Sequence, residues 1–282
     1  MTPEYLKNFL RSQGLKPNFT YGQNFLIDEI VLEDIVDAAE VKAGDKVLEI
    51  GPGIGNLTRK LLERGAQVLA IEKDPKFTPL LHALKKDFKK TLRFEIADAL
   101  EYNFQEYFKG LPGEESYKVV ANIPYYITGK ILQMLLGTDY KPTSITVLTQ
   151  KEVARNITAE PGNLSLLAIS VQLFGRPVLV RTVPARAFYP APKVDSAVLR
   201  IELLKNPQFE LQDEKRFFGV LRACFAGKRK QLHNTLANNL QLSKEQVASL
   251  LESTGISPAA RPQELSIGEW VSLSEKIYKL RQ

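Results

Sequence analysis

From about residue 28 the sequence alternates two kinds of apolar pattern. Short β-rich runs occur at Lys46–Ile50, Gln67–Ile71, Leu92–Ile96, Lys118–Ala121 and Ser144–Thr149, each the length of one buried strand. Between most of them apolar residues recur at helical spacing, notably in Leu57–Arg64, Lys76–Lys86 and Gly129–Leu136. A further helical stretch, Ile30–Ala39, precedes the first strand and is broken by Lys42-Ala43-Gly44-Asp45. Strands alternating with helices in this way predict an α/β fold, with a parallel sheet covered on both faces. The Pro-rich piece Val183–Pro192 interrupts the alternation, and Ser196–Leu203 reads as one further strand. After Asn206-Pro207 the period changes. Lys215–Phe225, Lys228–Leu240, Lys244–Ser253 and Gly268–Leu280 are all helical, which predicts a smaller helical domain. The expected division is 1–205 and 206–282.

Composition adds exclusions. With 282 residues, 44% hydrophobic and 25% charged, the chain is long enough to bury a large core and is not dominated by disorder. Its single cysteine, Cys224, cannot form an intramolecular disulfide. Two histidines far apart, His82 and His233, make a His-based metal site improbable, so no metal is expected. No apolar run approaches the ~18 residues of a membrane span, and Met1–Lys16 lacks the apolar core of a secretory signal. A cytoplasmic protein without membrane contact is expected.

The formal charge of +6 is unevenly placed. Residues 1–150 hold 19 basic and 20 acidic side chains, whereas residues 176–230 hold 12 basic and 5 acidic ones. Such an excess is what a polyanion-binding face produces, because phosphate contacts release counterions. A solvated surface with chance clustering produces it equally well.

The chemistry-bearing residues follow the strands. Glu49-Ile50-Gly51-Pro52-Gly53-Ile54-Gly55 ends the first strand and opens the Leu57 helix, where glycines permit a tight turn close to a ligand. Glu72 ends the next strand, 21 residues after Gly51, where a carboxylate can accept from both ribose hydroxyls. Asp98, after the third strand, can bind an adenine amino group. The glycine spacing differs from the G-x-G-x-x-G of dehydrogenases, which disfavours that class. It resembles instead the class I S-adenosylmethionine methyltransferases, whose loop suits a cofactor with an amino-acid tail. Asn122-Ile123-Pro124-Tyr125 follows the fourth strand and has the form of the Asn/Asp-Pro-Pro-Tyr motif of enzymes that methylate exocyclic amines of bases. Adenine N6 is a poor nucleophile because its lone pair is delocalised into the ring. Two acceptors, the Asn122 amide oxygen and the Ile123 carbonyl, favour a pyramidal nitrogen, and Tyr125 offers a ring to a base taken out of its helix.

Together these segments resemble one family, the ribosomal RNA adenine N6,N6-dimethyltransferases. Tyr21-Gly22-Gln23-Asn24-Phe25-Leu26 is similar to its N-terminal motif, and Gln150–Arg155 and Gly162–Ser165 are similar to later elements. Phe188-Tyr189-Pro190-Ala191-Pro192-Lys193-Val194-Asp195-Ser196-Ala197-Val198 is similar to Phe-x-Pro-x-Pro-Lys-Val-Asp-Ser-Ala-Val, and Phe225–Lys230 to Phe-x-x-Arg-Arg-Lys. Tyr21, Tyr126 and Lys228 depart from the usual residues without removing a group the chemistry needs.

The resemblance implies a Rossmann-like, mostly parallel seven-stranded sheet with a small C-terminal helical domain. It implies that Asn24, Leu26, Gly51, Glu72, Asp98 and Asn122 contact S-adenosyl-L-methionine, which leaves as S-adenosyl-L-homocysteine. Asn122 and Tyr125 would hold the adenine, with Phe188 stacking on its other face, although Phe188 could instead be a core anchor. Lys193, Arg222, Lys228, Arg229 and Lys230 are expected to meet RNA phosphates; for the last three, a solvated helix start is the alternative. The implied substrate is small-subunit ribosomal RNA in an immature small ribosomal subunit, dimethylated at two adjacent adenosines near its 3′ end by a monomeric enzyme. The alternatives are a resistance-type enzyme acting on large-subunit RNA and a non-catalytic RNA-binding assembly factor on the same fold.

Overall fold

The computed structural model describes residues 1–109, 116–206, 208–227 and 230–280. They form two compact units, each with its own core.

The first unit holds residues Met1–Ala154 and Arg176–Leu203. Its strands are β1 (Phe25–Leu26), β2 (Lys46–Ile50), β3 (Gln67–Glu72), β4 (Leu92–Ile96), β5 (Lys118–Asn122), β6 (Ser144–Gln150), β7 (Gly175–Val183), β8 (Phe188–Tyr189) and β9 (Ser196–Leu203). Seven of them make one sheet in the order β4-β3-β2-β5-β6-β9-β7. The strands β2 to β6 are parallel, and β9 runs antiparallel to β6. All five residues of β2 are buried, Lys46 and Glu49 among them, as in a central strand covered on both faces. The chain winds from β2 outward to β4, then returns to lay β5 on the other side of β2. That reversal opens a crevice at the carboxyl ends of β2 and β5, where open α/β sheets bind ligands. Helix Asn56–Glu63 leads away from this edge, burying Leu57, Thr58, Leu61 and Leu62.

Besides the two-residue strands β1 and β8, helix Pro3–Ser12 and strand β7 fall outside the alternation read from the sequence. Helix Pro3–Ser12 starts with a Thr2 cap and buries only Leu6 and Leu10, too little apolar repetition to stand out. Strand β7 alternates exposed and partly buried residues along its length and contains Pro177. It lies at the sheet edge, where a missing N–H is tolerated.

The second unit comprises residues 155–175 together with the chain from Leu204 onward. This corrects the contiguous division at 205. Helix Leu166–Phe174 is apolar almost all round, and Leu164, Ala168, Ile169 and Leu173 join the core of the C-terminal helices. Those helices are Glu214–Phe225, Leu232–Leu240, Lys244–Thr254 and Ile267–Lys279. Capping boxes at Ser243/Gln246 and Ser266/Glu269 define two of the starts. The helix expected from Lys228 begins at Leu232 instead, with Gln231 at its cap; Lys228 and Arg229 lie outside the described residues.

Trp270, the only tryptophan, is fully buried in this second core, so its fluorescence reports on the helical unit. Phe217, 2% exposed in the same core, carries a matching expectation. Phe217→Ala should cost about 3–5 kcal/mol and lower the denaturation midpoint followed by Trp270 emission. An unchanged midpoint would contradict this packing.

Candidate active site

The crevice at the carboxyl ends of β2, β3 and β5 deepens into a cavity of about 1060 Å³ including its open mouth. Asn24, Leu26, Gly51, Glu72, Asp98, Asn122 and Tyr125, all singled out in the sequence, line it together. Apolar walls with a few converging polar groups are the make-up of a small-molecule site.

The glycine loop is held from two sides. Gly51 takes φ +72° while its N–H donates to the Ile71 carbonyl at 2.9 Å. Gly53 takes φ +54°, the left-handed region that favours glycine, and a Cβ there would stand a tight 3.2 Å from the Phe25 ring. Its N–H donates to Glu72 Oε2 at 2.9 Å, and the Asp74 N–H donates to Glu72 Oε1 at 2.8 Å. Glu72 therefore splints the loop to the end of β3. Burial pushes its carboxyl above the usual range, and those amides work in the opposite direction.

Asp98 sits just past β4, where its Oδ1 accepts the Leu100 N–H at 3.0 Å and its Oδ2 meets Lys73 Nζ at 2.6 Å. The lysine ammonium, followed by the Leu100 amide, holds its carboxyl below the usual range.

The Asn122-Ile123-Pro124-Tyr125 segment is fixed by groups distant in sequence. Asn122 Nδ2 donates to the Asn24 carbonyl at 3.2 Å, so the amide oxygen is the end left to accept from a ligand. Asn24 Nδ2 donates to the Gly22 carbonyl at 3.2 Å, and Asn56 Nδ2 donates to the Leu26 carbonyl at 2.9 Å. The Tyr125 hydroxyl lies 2.6 Å from Ser196 Oγ, and burial raises its pKa, so the phenol stays neutral. Ser196 is fully buried at the start of β9. Its neighbour Asp195 accepts the Ala185 N–H at 3.1 Å through Oδ1 and the Lys151 N–H at 3.0 Å through its carbonyl. The Asp195-Ser196 pair thus anchors Tyr125 and the loop before β8.

Phe188 is a correction. It was expected to stack on a base, yet it is 2% exposed and packs in the main core, and it is not among the cavity-lining residues. It pairs with Leu26 across the small β1–β8 ladder, so in this structure its ring presents no face to a ligand. The core-anchor alternative describes it. Tyr126, 59% exposed, lines the cavity mouth instead.

The expected RNA contacts divide between the units. Lys193 is exposed on the first, and Arg222 and Lys230 are exposed on the second. Lys228 and Arg229 lie outside the described residues. Part of the basic excess is spent within each unit: Arg181 pairs with Asp34, Arg200 with Glu40 and Arg216 with Asp213. Among the described residues, no group of three or more His, Cys, Asp or Glu could hold a metal ion, and no helix is long and apolar enough to cross a membrane.

A family model for ribosomal RNA adenine dimethylases matches residues 14–279. The chain belongs to that family. It is 43% identical to a ribosomal RNA small subunit methyltransferase A of Dehalococcoides mccartyi, over 95% of this chain and 90% of that one. A protein of the same name from Clostridium botulinum is 40% identical over 97% and 98%. Among solved structures, a dimethyladenosine transferase from Plasmodium falciparum superposes with a TM-score of 0.75 at 26% identity, covering 90% of this chain and 98% of that one. The 23S rRNA methyltransferase ErmE superposes with a TM-score of 0.66 at 29% identity, covering 90% and 100%. The fold is thereby that of the class I methyltransferases.

The dimethylase site contains groups that motif reading passed over. Ser196 was visible only as part of a motif, and the Lys73–Asp98 pair gave no signal. Gln23 bridges the Asn18 N–H at 2.7 Å and Asp74 Oδ2 at 2.9 Å, tying the N-terminal segment to the turn after β3. Glu49 is the least expected. It is 1% exposed, its Oε2 has no partner, and burial pushes its carboxyl up to about 8, against a smaller opposing pull from the Thr58 hydroxyl and with a further push from Glu72. Glu49 therefore carries a proton at neutral pH.

A raised carboxyl pKa makes the folded state bind the proton more tightly than the unfolded one. Stability contributed by Glu49 is full below its ordinary pKa of 4.5 and is lost as pH rises toward about 8. At roughly 1.4 kcal/mol per pKa unit, the loss is on the order of 5 kcal/mol. Urea denaturation across this range should show the dimethylase losing stability relative to Glu49→Gln, which has no proton to release. Parallel profiles for the two proteins would refute a protonated Glu49.

Proposed function

We propose that this dimethylase methylates N6 of adenines in small-subunit ribosomal RNA twice, using S-adenosyl-L-methionine, at two adjacent adenosines near the 3′ end during subunit assembly. The curated relatives' names support the small-subunit substrate. The observation that carries the chemistry is the fixed orientation of Asn122, whose amide nitrogen is committed to the Asn24 carbonyl.

The residues present fit the cofactor. Glu72, at the end of β3, has lone pairs left for ribose hydroxyls, and Asp98 lies at the distance of one strand for the adenine amine. Asn24, Leu26 and Gly51 form the adjoining walls. When bound, S-adenosyl-L-methionine supplies an electrophilic methyl group and departs as S-adenosyl-L-homocysteine. Every other task falls to the protein. Asn122 Oδ1 and the Ile123 carbonyl each accept one N–H of the target amine, turning its lone pair out of the ring plane. Tyr125, pinned by Ser196, keeps the base from swinging. A monomethylated amine retains one N–H, so one acceptor still orients it for the second transfer. The amine becomes acidic only as the new C–N bond forms, so its proton can leave to water and no strong base is required. Catalysis of this kind is mostly positioning.

The test is labelled methyl transfer to immature small subunits, naked small-subunit RNA and large-subunit RNA, followed by nucleoside analysis. N6,N6-dimethyladenosine is expected in small-subunit RNA. Its presence in large-subunit RNA alone would overturn the substrate assignment, and no transfer to any RNA would favour the non-catalytic assembly factor. In the same assay Asn122→Ala should lose about 10²- to 10³-fold in rate, as for loss of one positioned hydrogen-bonding group. Its RNA affinity should stay near wild type; a large affinity loss would contradict the assigned role.

Lys193, Arg222 and Lys230 are proposed phosphate contacts. Replacing all three by Gln should weaken RNA binding uniformly and flatten the plot of log affinity against log salt by about 2 units, at roughly 0.7 per contact to single strands. An unchanged slope would remove these residues from the interface.

A further inference from the structure

Asp98 is expected to read the adenine amine, yet its carboxylate already has two partners. Oδ1 already accepts the Leu100 N–H, and the Asp98 carbonyl accepts the Glu101 and Tyr102 N–H groups at 3.0 Å each, so the turn around it is closed. The remaining oxygen, Oδ2, is paired with Lys73. The pairing follows from the sheet. Glu72 and Ile96 are in register on β3 and β4, and the Ala97 N–H donates to the Glu72 carbonyl at 2.8 Å, so the next residues on each strand come out side by side. Both side chains line the cavity.

We propose that Lys73 is a displaceable counter-ion on the adenine subsite: it holds Asp98 Oδ2 while the subsite is empty and competes for that oxygen with the exocyclic amine of any adenosyl ligand. The inference rests on the reading of Asp98 given above. Lys73 is suited to leave. Its side chain is 54% exposed against 25% for Asp98, so the ammonium can retreat into water while the carboxylate stays put. Tyr21 and Tyr126 line the cavity with it, and Lys130 supplies a weaker positive influence on Asp98. The competition acts on substrate and product alike, because both carry the same adenine. Lys73 therefore weakens both and shortens the stay of S-adenosyl-L-homocysteine after transfer.

The experiment is calorimetric titration of the full chain with S-adenosyl-L-homocysteine at low and high ionic strength. Lys73→Met keeps the aliphatic stem and removes the charge. It should bind about two- to fivefold more tightly at low ionic strength, the range of an exposed ion pair. The gap should close at high salt, where screening loosens the pair in the wild type. Lys73→Arg, which preserves the cation, should behave as wild type. In an Asp98→Asn background the Lys73→Met change should have no effect, since the latch acts through that carboxylate. Equal or weaker binding by Lys73→Met at low ionic strength, or a gap that persists at high salt or without Asp98, overturns the latch while leaving the cofactor reading intact. If the wild type does not bind the ligand at all, the cofactor reading falls and the latch with it.

Discussion

The hydrogen bond from the Asn122 amide nitrogen to the Asn24 carbonyl decides which end of that amide a ligand meets. An amide carries a donor end and an acceptor end, and only the acceptor can draw on an N–H. The chemistry of β5 therefore depends on where residues 22–26 run, a segment nearly a hundred residues away. That path is determined several times over. β1 pairs with β8, Asn56 donates to the Leu26 carbonyl, and Gln23 joins Asn18 to Asp74. The Phe25 ring packs edge-on against Phe77 at 5.7 Å, and it fills the space a side chain at position 53 would need. Helix Pro3–Ser12 adds Leu6 and Leu10 to the same cluster. A site built this way has acceptors already aimed before any base arrives, which is what catalysis by positioning requires.

The centre of the sheet was legible because its strands are short, β-rich and largely buried: Lys46–Ile50 and Ser196–Leu203 have the bounds read from the sequence. Leu92–Ile96 has them too, although it is a partly exposed edge strand with only Leu92 buried, because its apolar and polar residues alternate at period two. Strand β7 was not legible, because an edge strand needs no apolar face and can carry Arg176, Pro177 and Arg181. Helix Leu166–Phe174 gives the other kind of miss: it has too many apolar residues to show a period, and its partner helices come forty residues later. Motifs located the cavity well, but they name residue types and not which way those residues face. Phe188 lies in a matching motif and turns into the core, because the β1–β8 ladder alternates its sides and puts residue 188 inward. Ser196, in the same motif, has a visible task only once β9 brings its hydroxyl to Tyr125.

The basic excess of residues 176–230 also reads differently in three dimensions. The sequence places twelve cations in one stretch, but the chain divides them between two units at Leu203. Arg181, Arg200 and Arg216 neutralise acids of their own unit, and Arg200 also donates to the Ala38 carbonyl at 2.9 Å. A one-dimensional charge count cannot separate cations that hold a fold together from those that face outward. Lys193, Arg222 and Lys230 are of the outward kind.

Three carboxylates line one cavity, and the protein manages each by a different means. Glu49 is buried without a cation and keeps its proton. Glu72 is buried too, but two backbone amides point at its oxygens and support the charge in place. Asp98 is more exposed, and a half-exposed lysine supplies the opposite charge. Ionising all three without such compensation would place like charges close together, two of them on buried side chains, which is unfavourable. The order also suits the roles proposed for Glu72 and Asp98. An amide-supported carboxylate is rigid and suits a pair of hydroxyls; a lysine-paired one is exchangeable and suits a group that must arrive and leave on every turnover. The chemical group is the same in all three places, and what distinguishes them is burial and the nearest donor.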